Sequence, residues 1–128
     1  MLESLDVRSP GAFLPSLLPA LAALACACGG PDQRPAEWAY IHAAIVVPSC
    51  ASASCHSNGT RAGGLTFEDR AETHRTWVRE PYVIPGDPDS PIIYLLEGRE
   101  RDLMPPSAPL PPVDIELIRR WIVEGANP

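Results

Sequence analysis

The sequence predicts an all-α domain of about four short helices joined by long proline-rich loops. Proline accounts for 16 of the 128 residues, too many for a long uninterrupted helix. The apolar residues between the prolines recur at three- and four-residue spacing, and no convincing alternating run marks a strand. Leu, Ile, Val and Phe together number 30 of 128, so the core is thin and cut up by loops. The formal net charge is −6 and every one of the ten basic residues is arginine. That balance argues against nucleic acid as a partner, because phosphate neutralisation needs a basic face.

Residues 11–25 read GAFLPSLLPALAALA without a charge and run into Cys26-Ala27-Cys28-Gly29-Gly30. The stretch falls short of the about 20 apolar residues that span a bilayer, and Pro15 and Pro19 interrupt it. It has the length and small-residue ending of a signal-peptide core, although a buried apolar helix has a similar composition. Residues 1–27 are therefore expected to be an export signal of the lipoprotein type, delivering the chain to the periplasm of a Gram-negative bacterium. Cys28 is the expected lipidation site, and that N-terminal lipid the only tie to a membrane. Glu3 and Asp6 outweigh Arg8 ahead of the apolar run, an anomaly that a start at Val7 would remove. Residues 28–36, including PDQRP, read as a polar tether, and 37–127 as the folded domain.

Within that domain the first helix is expected over 37–47, with Trp38, Ile41 and Ile45 on one stripe and Pro48 as its stop. His42 falls on another side and reads as a surface or structural histidine. Glycine turns follow at Asn58-Gly59 and Gly63-Gly64. A second helix is expected over 68–78, with Ala71, Arg75 and Val78 on one side. Pro85-Gly86-Asp87-Pro88 is a turn, and Ser90-Pro91 caps a third helix over 91–97 that Gly98 closes. The last helix, 113–124, carries Ile115, Ile118, Trp121 and Ile122 on one face, with Glu116 and Arg120 as an i,i+4 pair and Gly125 after its end.

Residues 47–59 read VPSCASASCHSNG. Cys50, Cys55 and His56 form Cys-x4-Cys-His, a lengthened version of the c-type haem attachment signature. That chemistry needs two thiols on one short loop to meet the two vinyl groups of one haem. It also needs a histidine directly after the second thiol as proximal iron ligand. The four small spacer residues, Ala51 to Ser54, are able to bulge outward. The same residues also suit a Cys50–Cys55 disulfide, or a zinc site completed by His42 or His74. Downstream stands Met104-Pro105-Pro106, the one methionine after the export signal, where the prolines stiffen the loop. Paired with Cys55-His56, Met104 reads as the distal iron ligand, with His74 as its rival. Trp77 and Tyr82 read as hydrogen-bond donors to the haem propionates or as ordinary core residues.

Several segments in order resemble the small single-haem cytochrome c-like domains of planctomycete and myxobacterial exported proteins. They are Cys50 to His56, Ala62-Gly63-Gly64-Leu65, VIPGDPDS at 83–90, Leu103-Met104-Pro105-Pro106, and IELIRRWIVEGA at 115–126. The resemblance covers about residues 37–127. It implies a cytochrome c-like fold around one covalently bound haem c, with the first and last helices crossing. His56 and Met104 are then its iron ligands, and Cys50 and Cys55 its thioether donors.

The expectation that follows is electron transfer in the periplasm, by a carrier or a module of a larger redox complex and not by an enzyme in its own right. The acidic surface calls for a redox partner with a basic docking face. The alternatives are a haem-free, disulfide-stapled periplasmic lipoprotein and a ligand-sensing haem domain.

Overall fold

The computed structural model describes residues 30–99 and 102–128. The expected export signal, the Val7 start, Cys26 and Cys28 lie outside the described residues. Pro31–Pro128 forms one compact unit, and the described helices all lie in it.

All regular structure among the described residues is helical. Helix α1 begins as Trp38–Ile41, passes through a π-helical turn over His42–Val46 and resumes as Val47–Cys50. It therefore runs through Pro48, the expected stop. Proline has no N–H to donate, and its ring crowds the carbonyl four residues back. The π turn answers both problems: the Val47 N–H bonds His42 O, five residues back, and the wider turn accommodates the ring. As a result Cys50 ends the helix and does not sit in a loop.

Helix α2 spans Arg70–Arg79. It starts later than expected because Asp69 is its cap, accepting the Glu72 N–H at 2.7 Å. Its buried residues are Thr73, Thr76 and Trp77, while Arg75 turns outward to pair with Glu72. Before α3, Ile84-Pro85-Gly86-Asp87 makes a tight turn closed by Asp87 N–H to Ile84 O at 2.9 Å. Gly86 takes φ +84° at the position where such a turn needs a left-handed residue. Helix α3 is Pro91–Glu97, as expected, and Gly98 closes it. Ser90 stands at its N-cap, its carbonyl accepting the Ile93 N–H at 2.8 Å, but its side chain makes no cap bond. Its hydroxyl is fully buried and accepts the Ile84 N–H at 2.9 Å, locking the preceding turn.

Helix α4 is Pro112–Val123, with Ile115, Leu117, Ile118, Trp121 and Ile122 buried. The expected Glu116–Arg120 pair does not form. Arg119 takes Glu116 at 3.3 Å and reaches Glu97 on α3. Arg120 instead donates to the backbone carbonyls of Asp32 and Arg34. Arg34 in turn bonds Asp114 at 2.6 Å. The PDQRP segment is thus strapped onto α4, because four carbonyl and carboxylate acceptors, those of Asp32, Arg34, Val113 and Asp114, face two arginines there.

The core joins the first and last helices through Trp38 and Trp121, whose rings stack with centroids 4.9 Å apart. Trp77 meets Trp38 edge-on at 5.3 Å. No helix among the described residues is long and apolar enough to cross a membrane.

Candidate cofactor site

The end of α1 and the turn after it fix the first half of the site. Cys50 O accepts the His56 N–H at 3.0 Å, so the chain from 50 to 56 closes into a ring with both cysteines and the histidine on it. Ser52, Ala53 and Ser54 are exposed, turned out to solvent as small residues can be, while Ala51 packs against the core. Cys55 O accepts the Ala62 N–H at 3.0 Å, and the left-handed pair Gly63 and Gly64 bends the chain back behind the turn.

The second half comes from the loop after α3. The Met104 N–H bonds Leu95 O at 2.9 Å, which ties the start of the Met-Pro-Pro segment to the end of that helix. Met104 itself is 37% exposed.

Between these two halves lies a cavity of about 420 Å³, well within the range of small-molecule and cofactor sites. Cys50, Cys55, His56 and Met104 all line it. Most of the remaining wall is apolar, including Ile45 from α1, Leu96 from α3 and Ile118 from α4. Positions 50–56 and 104, half a chain apart in sequence, therefore converge on one apolar chamber. Trp77 and Tyr82 line it too.

Two buried polar atoms on the lining residues have no partner among the described residues: His56 Nδ1 and Trp77 Nε1. A buried donor or acceptor left unmade costs on the order of 1–3 kcal/mol. The residue set fits a haem in its chemistry. It offers two thiols, an imidazole and a thioether around an apolar space.

The two thiols, both free, differ in character. Burial pushes the Cys50 thiol up to about 11, with the neighbouring Cys55 adding to the effect. Hydrogen bonds from Ser52 and Ser54 hold Cys55 below an ordinary thiol. Cys55 is the more readily ionised and hence the more nucleophilic of the pair.

The other two histidines are engaged elsewhere. His42 is buried at 6% exposure and donates from Nε2 to Phe67 O at 3.0 Å. His74 donates to Ala126 O at 2.7 Å among Trp38 and Trp121, off the cavity. Neither His42 nor His74 lines the cavity that Met104 faces. No group of three or more His, Cys, Asp or Glu among the described residues is arranged to hold a metal ion.

One contributor was not visible as such in the sequence. Phe67 lies against the His56 ring with centroids 4.4 Å apart, and its N–H bonds His56 O at 2.8 Å. Nothing local marks Phe67, since a lone aromatic eleven residues from a motif carries no spacing signal.

No family model, curated protein or solved structure matches the chain.

Proposed function

We propose that this cavity holds one haem c, attached through Cys50 and Cys55 and ligated by His56 and Met104, and that the protein transfers electrons in the periplasm. The observation that supports this most is the convergence of Cys50, Cys55, His56 and Met104 on one apolar cavity of about 420 Å³. Bound there, the haem supplies a one-electron ferric–ferrous couple. The chain's own residues do the rest. Cys55, with its lowered thiol, and Cys50, at the end of a helix, present two sulfurs from one closed ring. The apolar wall limits water, and thioether ligation from Met104 favours the reduced form, raising the potential. Trp77 Nε1 and the Tyr82 hydroxyl stand as donors for the propionates. With His56 and Met104 both engaged, no substrate position remains, so the protein acts as a carrier or a redox-complex module and not as an enzyme. Its net charge of −6 suits a redox partner with a basic docking face. Residues 37–127 make up the working domain, and Cys28 supplies a lipid anchor.

A second reading draws on the 37% exposure of Met104. In a ligand-sensing domain that thioether gives way to a small exogenous ligand. Carbon monoxide binding to the reduced, folded protein separates the two. Spectroelectrochemical titration tests the first directly: a single reversible one-electron transition is expected, and a protein with no redox-active absorption overturns it.

A further inference from the structure

The segment Thr66-Phe67-Glu68 grips the histidine turn at several points. The Phe67 N–H bonds His56 O at 2.8 Å, and the Phe67 ring lies on the imidazole at 4.4 Å between centroids and 32° between planes. Either side of Phe67, the neighbours hold Asn58. Thr66 Oγ1 donates to Asn58 Oδ1 at 2.7 Å, and Glu68 accepts from the Asn58 backbone and side-chain N–H groups at 2.9 and 2.6 Å. These bonds belong to the two loops alone. Beside the His56 N–H to Cys50 O bond at the end of α1 and the edge contact of Phe67 with Trp77, His42 ties them to the helical frame: its Nε2–H donates to Phe67 O at 3.0 Å from inside the π-helical turn of α1. The acceptor is a carbonyl, so the Nε2–H tautomer is required. His42 is itself held, with its ring 5.5 Å from that of Trp38. None of these contacts uses His56 Nδ1, which stays buried and unpartnered. The imidazole is gripped by its face and its backbone, and these contacts leave its ring nitrogens unbonded.

We infer that His42 is a positioning residue for His56, acting through the backbone of Phe67 to fix the plane of the His56 imidazole. The inference deepens the haem reading and rests on it for its functional meaning. The mechanical relationship between His42 and His56 stands on its own geometry. A buried His–carbonyl bond ties α1 to the loop, and losing it removes one of the contacts that seat Phe67 on the ring, leaving its N–H to His56 O and its packing on Trp77.

The test compares wild-type protein with His42→Leu, His42→Gln and Phe67→Leu. In haem-loaded protein, electron paramagnetic resonance reads the orientation of the axial imidazole through the spread of the g-values. His42→Leu and Phe67→Leu are expected to alter that spread and shift the potential in the fraction that carries haem. His42→Gln, which returns an amide N–H near the same point, is expected to restore the wild-type spectrum. Phe67→Leu leaves the His42 bond in place, so it still tests the stacking if His42→Leu does not fold. Unaltered g-values in both leucine variants overturn the inference. So does failure of His42→Gln to differ from His42→Leu. If wild-type protein carries no haem, the haem reading fails separately. The same variants are then read by nuclear magnetic resonance, through the ring-current displacement that Phe67 imposes on the His56 ring protons. That displacement must disappear in both leucine variants and persist in His42→Gln, or the inference is wrong.

Discussion

The rings of Trp38 and Trp121 stack at 4.9 Å with 25° between their planes, each residue 2% exposed. This is the contact that binds the start of the helical domain to its end. Each indole also donates across a gap, Trp38 to Arg70 O and Trp121 to Asn127 O, both at 2.9 Å. Trp121→Ala removes a buried ring, a stacking partner and a donor together. It is expected to lower stability by about 3–5 kcal/mol, read by urea unfolding followed by circular dichroism. A loss below about 1 kcal/mol would contradict the role given to this pair.

Met104 is tied to the frame by its backbone N–H while its side chain faces the cavity. Met104→Ala is expected to abolish the long-wavelength sulfur-to-ferric charge-transfer absorption and to lower the reduction potential. An unchanged absorption spectrum would remove Met104 as the distal ligand.

The thiols predict an order of reaction in haem-free protein. Cys55, lowered by its serine partners, is expected to alkylate first as pH rises, with a midpoint below that of an ordinary thiol. Cys50, buried and pushed up to about 11, is expected to lag far behind. Ser54→Ala should move the Cys55 midpoint upward. Mass mapping of the labelled peptides checks this, and equal labelling of the two cysteines would contradict it.

The strap over α4 carries a pH signature. Hydrogen bonds from the Arg34 side chain and backbone hold the Asp32 carboxyl down from 3.8 to about 2. A carboxyl depressed in the folded state stabilises above its unfolded value and loses that contribution as pH falls through the folded one. Stability should therefore decline between about pH 4 and pH 2, and less steeply in Asp32→Asn. Urea midpoints across that window measure it. Identical slopes would mean that the Asp32–Arg34 bonds do not persist in solution.

Much of the fold is legible in the sequence. Helix α3 matched its expected ends, because Pro91 and Gly98 are strong local punctuation. The buried faces of α1 and α4 followed from the spacing of Trp38, Ile41, Ile45 and of Ile115, Ile118, Trp121. What failed to show locally depended on partners distant in sequence. Pro48 did not stop α1, since a π turn upstream absorbed it. Arg120 left Glu116 for carbonyls nearly ninety residues away, and Ser90 gave its hydroxyl to the preceding turn and not to the helix. At the site, Cys50, Cys55, His56 and Met104 stood out by residue type and order. Phe67 and His42 did not, because a stacking ring and a backbone-bonded histidine have no motif of their own.

The central claim, that Cys50 and Cys55 carry haem, has one direct measurement. The protein is expressed into the periplasm with the cytochrome c maturation machinery, denatured, run on a gel stained for haem peroxidase activity, and weighed intact. The expected result is a stained band whose mass equals the processed chain plus one haem, and loss of the stain in a Cys50→Ser, Cys55→Ser double variant. An unstained, colourless protein with the mass of the bare chain, two hydrogens lighter for a Cys50–Cys55 disulfide, would contradict it.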